Sequence, residues 1–212
     1  MNILVIGASG RVGNMLVKKL FQEKHSVVGA TRQDKELFDS QNYTQINLDL
    51  LADVEEIENT IHNNLDAIYF VSGSGGKNLL QVDLHGAIKT MQVAEKISVK
   101  RYIMLSSLFT LEPKRWNEQY LKGITNYNIA KRYADLWLIN NTALDYSILQ
   151  AGLLKEIKGS GKIKVNVENP GENSIENVAT TLVEVLENQS ASKKVITMHD
   201  GDKTIKEAIS EL

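Results

Sequence analysis

The chain has 212 residues, two prolines, no cysteine and a formal net charge of −2. That length fits one ordinary domain with a full core. Lack of cysteine excludes a disulfide framework and thiolate-metal chemistry, and the small net charge with no basic block argues against a nucleic-acid partner. No apolar run approaches 18 residues and no cationic leader precedes the first strand-like run, so the expectation is a cytoplasmic protein with no membrane segment. Oligomeric state stays open.

Strand-like runs lie near residues 2–6, 26–30, 43–47, 66–71, 101–106, 145–149 and 194–198. Helical periodicity lies between them, near 11–22, 53–62, 80–97, 126–140, 174–188 and 203–210. Ala67-Ile-Tyr-Phe-Val71 and Tyr102-Ile-Met-Leu105 are continuously apolar, as in strands covered on both faces. The alternation predicts an α/β fold, a doubly wound parallel sheet in a single domain over 1–212. Stretches 107–125 and 150–173 fit neither pattern. Both follow strand C-terminal ends, where open α/β sheets bind ligands, so they are the expected substrate-binding elements.

The first strand breaks into Gly7-Ala-Ser-Gly10-Arg-Val-Gly13, three glycines spaced three apart, followed by apolar residues at helical spacing. Strand, tight turn and helix together bring a dinucleotide pyrophosphate onto a helix N-terminus. Gly7 permits the turn, Gly10 lets phosphate approach the backbone, and Gly13 lets helix and strand close together. Gly7, Ala8, Ser9, Gly10, Arg11, Val12 and Gly13 are therefore candidate cofactor-binding residues. A phosphate-free tight turn is the competing reading.

The second strand ends in Thr31-Arg32-Gln33, and its first acid, Asp34, comes slightly late for a ribose-binding carboxylate. Arg32 offers a planar cationic fork suited to a 2′-phosphate, with Arg11 as a helper, which favours NADP(H) over NAD(H). A solvated surface arginine is the alternative. After the third strand, Asp49 and Leu50 are candidates for the adenine amino group and ring face; a helix-capping Asp49 competes. Ser72 and Gly73 open a glycine-rich loop after the fourth strand, with Lys77 beyond it solvated.

Tyr127 and Lys131 stand four apart, on one face of the predicted helix. A phenol with a pKa near 10 is a poor acid at neutral pH. An ammonium about 4 Å away would stabilise the phenolate by up to ~4 kcal/mol at an effective dielectric of 20, which makes a competent proton donor. This spacing recurs by chance, so position carries the weight: the pair opens the helix before the sixth strand, and Ser106-Ser107 ends the strand before that helix. Leu108, Phe109, Trp116 and Tyr120 lie between and are candidate walls of an apolar pocket. Trp137 and Tyr133 are expected in the core. His25, His62, His85 and His199 show no metal-ligand spacing.

Gly7-Ala-Ser-Gly10-Arg-Val-Gly13, Leu105-Ser-Ser107 and Tyr127-Asn-Ile-Ala-Lys131-Arg-Tyr-Ala-Asp135 together resemble the short-chain dehydrogenase/reductase superfamily. More closely, the chain is similar to its atypical branch of NAD(P)H-binding, NmrA-like proteins that include biliverdin and flavin reductases. Val82-Asp-Leu-His-Gly86-Ala-Ile-Lys resembles the helix lining the nicotinamide side, and Ser174-Ile-Glu-Asn-Val-Ala179 a late helix start of that branch. The last strand and turn are matched by Val195-Ile-Thr-Met-His-Asp-Gly201. The resemblance implies a Rossmann-type fold with Tyr127 as acid/base. It implies Lys131 on the nicotinamide ribose and tuning Tyr127, and Ser107 orienting the carbonyl, with Ser106 as its alternate. The chain departs from the branch at Gln150-Ala-Gly152, where Arg-Pro-Gly is frequent, and at Asp83, where a relay asparagine is frequent. The expected function is an NADPH-dependent oxidoreductase acting on a small carbonyl, quinone or flavin-like acceptor. A non-catalytic NADP(H) sensor, or an epimerase or dehydratase of the same superfamily, is the alternative.

Overall fold

Strands that are apolar throughout need cover on both faces. The computed structural model, which describes residues 1–61, 64–118 and 120–212, supplies it. Strands β1 (Asn2–Ile6), β2 (Ser26–Thr31), β3 (Tyr43–Asn47), β4 (Ala67–Phe70), β5 (Arg101–Ser107) and β6 (Asp145–Ala151) are followed by β7 (Leu153–Lys155), β8 (Lys162–Val165), β9 (Glu172–Ser174), β10 (Lys194–Asp200) and β11 (Lys203–Thr204). Nine of them form one sheet, in the order β11-β8-β10-β6-β5-β4-β1-β2-β3. Pairing is parallel from β10 to β3, and β8 runs antiparallel to both β10 and β11. Strands β7 and β9 pair separately, in parallel.

Alternation along β1 explains the two layers. Ile3 and Val5 face one way, into a core shared with helices α1 (Arg11–Gln22), α5 (Ile175–Glu187) and α6 (Ile205–Ser210). Leu4 and Ile6 face the other, into a core shared with α2 (Val54–Thr60), α3 (Ala87–Lys96) and α4 (Thr125–Asn141). Successive side chains on a strand point to opposite faces, so one apolar run feeds both cores. The fold is the expected doubly wound sheet.

The helix expected over 80–97 differs in its winding. Residues Leu79–Gly86 form a π-helical segment that continues as α3. This wider winding leaves Asp83 fully buried and sets Gly86 against Leu50, whose Cβ lies 3.1 Å from where a Cβ on Gly86 would stand. The stretch 150–173 holds β7, β8 and β9, which the sequence pattern does not announce: two have three residues, and β8 (Lys162-Ile-Lys-Val) lies near the edge with one apolar face.

The stretch 107–125 folds over its own small core of Leu108, Phe109, Leu121 and Val167, with Trp116 packed on it. Phe109 and Trp116 are thus base rather than pocket wall. Phe109 adopts φ +58, an uncommon conformation for a bulky residue. Two contacts hold it there: the Arg115 guanidinium 3.5 Å over its ring, and its carbonyl accepting from the Trp116 indole at 3.1 Å. Tyr133, expected in the core, is 56% exposed, whereas Trp137 packs against the core.

Candidate functional site

The glycine turn opens the site. Gly7 has φ +97, and a Cβ there would stand 2.7 Å from the Ser72 Cα. At Gly13 the corresponding atom would lie 2.1 Å from the Gly7 carbonyl oxygen, so helix and strand close on a hydrogen atom. At Gly10 it would meet only that same oxygen, at 3.2 Å. No side chain caps the N-terminus of α1, and its first turn holds no acid. Its free N–H groups and positive end therefore suit an anion. Ala8 and Val12 are buried and contribute backbone alone, while Ser9 and Gly10 line a cleft of about 290 Å³.

That cleft also receives Thr31, Arg32, Asp49, Leu50, Ser72 and Gly73. Thr31 donates to Ser9 Oγ at 3.0 Å and accepts from the Gln33 N–H at 3.2 Å, which shapes the turn that carries Arg32. Arg32 is exposed, and among the described residues no carboxylate pairs with it. Asp34 lines a separate depression with Gln33 and Gln45. Asp49 accepts from the Leu51 N–H at 2.9 Å, and the cap of α2 is Asp53, so the capping reading of Asp49 does not hold. Lys77, expected to be solvated, is exposed and lines the cleft too. These residues fit a dinucleotide: an open helix N-terminus for pyrophosphate, an unpaired guanidinium nearby, and one acid with an apolar side chain at the far wall.

A second cavity, about 450 Å³, lies across the turn. Leu105, Leu108, Leu121, Ile124, Leu153 and Leu154 make it largely apolar, and Ser106, Ser107 and Tyr127 give it a polar side. Tyr120 stands at it 72% exposed. Arg11 lines this cavity and not the first; its guanidinium contacts Glu156 at 3.2 Å. It is not among the residues around Arg32, so the expected help with a 2′-phosphate has no geometric support.

Three consecutive positions at the end of β5 are each tied to α4. Lys131 Nζ donates to the Leu105 carbonyl at 3.1 Å, Ser106 Oγ donates to Asp135 Oδ2 at 2.9 Å, and Ser107 Oγ donates to Asn128 Oδ1 at 3.0 Å. Lys131 is only 2% exposed, with its ammonium 5.9 Å from the centre of the Tyr127 ring and 5.6 Å from that of Phe70. Asp135 also accepts from Thr110 Oγ1 at 2.5 Å and from Gln150 Nε2 at 3.0 Å. Full burial pushes its carboxyl up to about 6, against the lowering effect of Thr110, Ser106, Lys131 and Gln150. Gln150, paired with Ser106 in register, donates to Thr110 Oγ1 at 2.6 Å as well as to Asp135. Ser106 is committed to Asp135 and Ser107 to Asn128, so in this arrangement both hydroxyl protons are held inside the protein.

A family model described as NAD(P)H-binding matches residues 7–189. The chain belongs to the NAD(P)H-binding family. Its sequence is 40% identical to the oxidoreductase ylbE from Lactococcus lactis, whose crystal structure superposes with a TM-score of 0.96 over 100% of this chain and 96% of that one. It is 33% identical to the UPF0659 protein YMR090W of Saccharomyces cerevisiae, over 100% of this chain and 99% of the relative. It is 31% identical to a Bacillus subtilis protein named uncharacterized sugar epimerase YhfK, over the full length of both.

Within this NAD(P)H-binding chain, Asn128 and Asp135 hold the two serines of the second cavity, a contact the sequence assigned to neither. Asp135 could be found from spacing, since Tyr127, Lys131 and Asp135 recur every four residues on one helix face. Asn128 carries no such signal; only its contact with Ser107 marks it. Asp83 accepts from the Ser74 N–H at 3.0 Å and so pins the loop after β4. His25 lies 3.3 Å from the terminal amine and His199 2.6 Å from the Asp200 carbonyl; His85 is exposed, and His62 falls outside the described residues. Among the described residues no group of His, Cys, Asp or Glu is placed to hold a metal, and no helix is long and apolar enough to cross a membrane.

Proposed function

We propose that this member of the NAD(P)H-binding family is an NADPH-dependent reductase of a small carbonyl, quinone or flavin-like acceptor. The observation that carries this reading is the glycine turn set between two cavities of different chemistry, with Gly10 on the polar one and Arg11 on the apolar one. When bound, the nicotinamide supplies a hydride. The first-turn amides of α1 would hold the pyrophosphate, Thr31 and Arg32 the 2′-phosphate, Asp49 and Leu50 the adenine, and Ser72 and Gly73 would support the chain between. Tyr127 donates the proton to the acceptor oxygen. The buried charge of Lys131 stabilises the phenolate that is left, and Ser107 directs the carbonyl by a hydrogen bond. The apolar lining fits a small, flat acceptor.

Tyr127→Phe tests this assignment. It removes the proton donor and leaves the first cleft intact, so NADPH affinity stays unchanged while carbonyl reduction falls by about 10²–10⁴. A Phe variant with full carbonyl reductase activity rules the role out. The name of the Bacillus subtilis relative supports a second reading, epimerisation of a sugar through the same tyrosine. That chemistry consumes no NADPH overall, so net cofactor oxidation with a carbonyl or quinone separates the two. Leucine-rich walls favour the reductase.

A further inference from the structure

Asn128 is fully buried beside Ser107, yet its amide is half used. Oδ1 accepts the Ser107 hydroxyl proton at 3.0 Å, and Nδ2 has no partner among the described residues. Buried N–H groups without an acceptor are rare and costly. The arrangement also spends the one proton Ser107 has, so in this orientation Ser107 cannot donate to a substrate carbonyl.

A half-turn of the carboxamide exchanges its oxygen and nitrogen at unchanged heavy-atom positions. Nδ2 then donates to Ser107 Oγ, and the Ser107 hydroxyl is released toward the cavity. Before a carbonyl arrives, the turn leaves the number of internal hydrogen bonds at Ser107 the same. It exchanges an unpaired N–H for an unpaired oxygen, which is the milder fault. Once a carbonyl is present, the turned state gains one bond. We propose that Asn128 is a positioning residue whose carboxamide, in its turned state, donates to Ser107 Oγ and so points the Ser107 proton at the acceptor oxygen. This rests on the reductase reading above, in which Ser107 holds the carbonyl.

Asn128→Asp tests it. An ionised carboxylate only accepts, so it locks the Ser107 proton inward. Its kcat/KM for a carbonyl acceptor at pH 8 should fall by about a hundredfold, as when one oxyanion donor is lost, with NADPH affinity unchanged. Desolvation raises a buried carboxyl. As pH falls and that carboxyl takes a proton, it regains a donor, and the variant's rate should recover by about tenfold, with no parallel rise in wild type. Tyr127, Lys131 and Asp135 on α4, and Asp83 and His85 on the π-helical segment packed against it, are common to both proteins, so the difference between the profiles isolates position 128. Asn128→Ala removes the acceptor and frees Ser107, so it should keep kcat/KM within about tenfold. Should the buried carboxylate prevent Asn128→Asp from folding, the Ala variant decides alone: retention supports the turnover, and a hundredfold loss overturns it. Wild-type activity in Asn128→Asp at pH 8, or equal losses in both variants with flat pH profiles, also overturns it. Ser107→Ala is the separate control: if it reduces carbonyls as well as wild type does, the reductase assignment of Ser107 fails rather than the turnover.

Discussion

Arg32 and Asp34 stand two residues apart at the end of β2 and finish in different places, the arginine in the first cleft and the acid outside it. A charge-assisted contact to a 2′-phosphate contributes about 1.5–3 kcal/mol. Arg32→Ala should therefore raise the Kd for NADPH by roughly 10- to 100-fold and barely move that for NADH; equal affinity for both cofactors in the wild type would sink the preference. Asp135 makes a second prediction. Its carboxyl is raised from 3.8 in the unfolded chain to about 6 in the fold. The folded state thus holds the proton more tightly, and this contribution to stability is complete below about pH 4 and lost as pH rises through 6. The shift is worth on the order of 3 kcal/mol. Asp135→Asn keeps the shape without the titration, so denaturant unfolding between pH 4 and pH 7 should show a shallower loss than wild type. Ser107, Tyr127 and Lys131 are legible in the sequence because each sits at a fixed place relative to a strand or helix end. Asn128 and Gln150 are not. Asn128 is marked only by its contact with Ser107 and Gln150 by its contacts with Thr110 and Asp135, and no pattern along the chain records which polar side chain turns inward.

At the scale of elements, the parallel strands and their helices are legible because each carries an unbroken apolar run or a clean 3.6-residue period. Strands β7, β8 and β9 are too short or too one-sided for either signal, and their pairing depends on partners far along the chain. The π-helical segment has the composition of an ordinary helix; the close contact of Gly86 with Leu50 appears only in three dimensions. The glycine turn divides its tasks between two positions. At Gly13 an added methyl would lie 2.1 Å from a backbone oxygen, so Gly13→Ala must push α1 from β1 and should cost the apo protein about 1–3 kcal/mol. At Gly10 the only atom within 4 Å is the Gly7 carbonyl oxygen, at 3.2 Å, and Gly10 lines the first cleft. Gly10→Ala should leave apo stability within about 1 kcal/mol and weaken NADPH binding. Thermal melts of both apo proteins, with cofactor titration of each, check the division. Normal NADPH binding by the Gly10 variant removes the turn from the cofactor site.

At the scale of the whole molecule, the strand order decides where chemistry can occur. β1 lies between β4 and β2, with β5 and β6 beyond β4, so the turns after β1, β2 and β4 open on one cleft and the ends of β5 and β6 on the other. A dinucleotide lying across the Gly7–Gly13 turn would touch elements from both halves of the sheet, and its binding should stabilise the fold as a unit. A ligand that binds only the folded state at about 100 times its Kd adds ~2.7 kcal/mol, which for a chain of this size corresponds to a rise in Tm of about 5–10 °C. NADPH at that ratio should produce one cooperative, shifted transition. NADH at the same concentration should shift it much less, since Arg32 has no phosphate to meet. Arg32→Ala should reduce the NADPH shift to the NADH value while the apo Tm stays put, because the guanidinium is exposed and unpaired among the described residues. A shift of equal size for both cofactors in wild type would contradict the preference for NADPH, and a melt that splits into two transitions with only one moved by NADPH would contradict a single cofactor site shared by the two halves of the sheet.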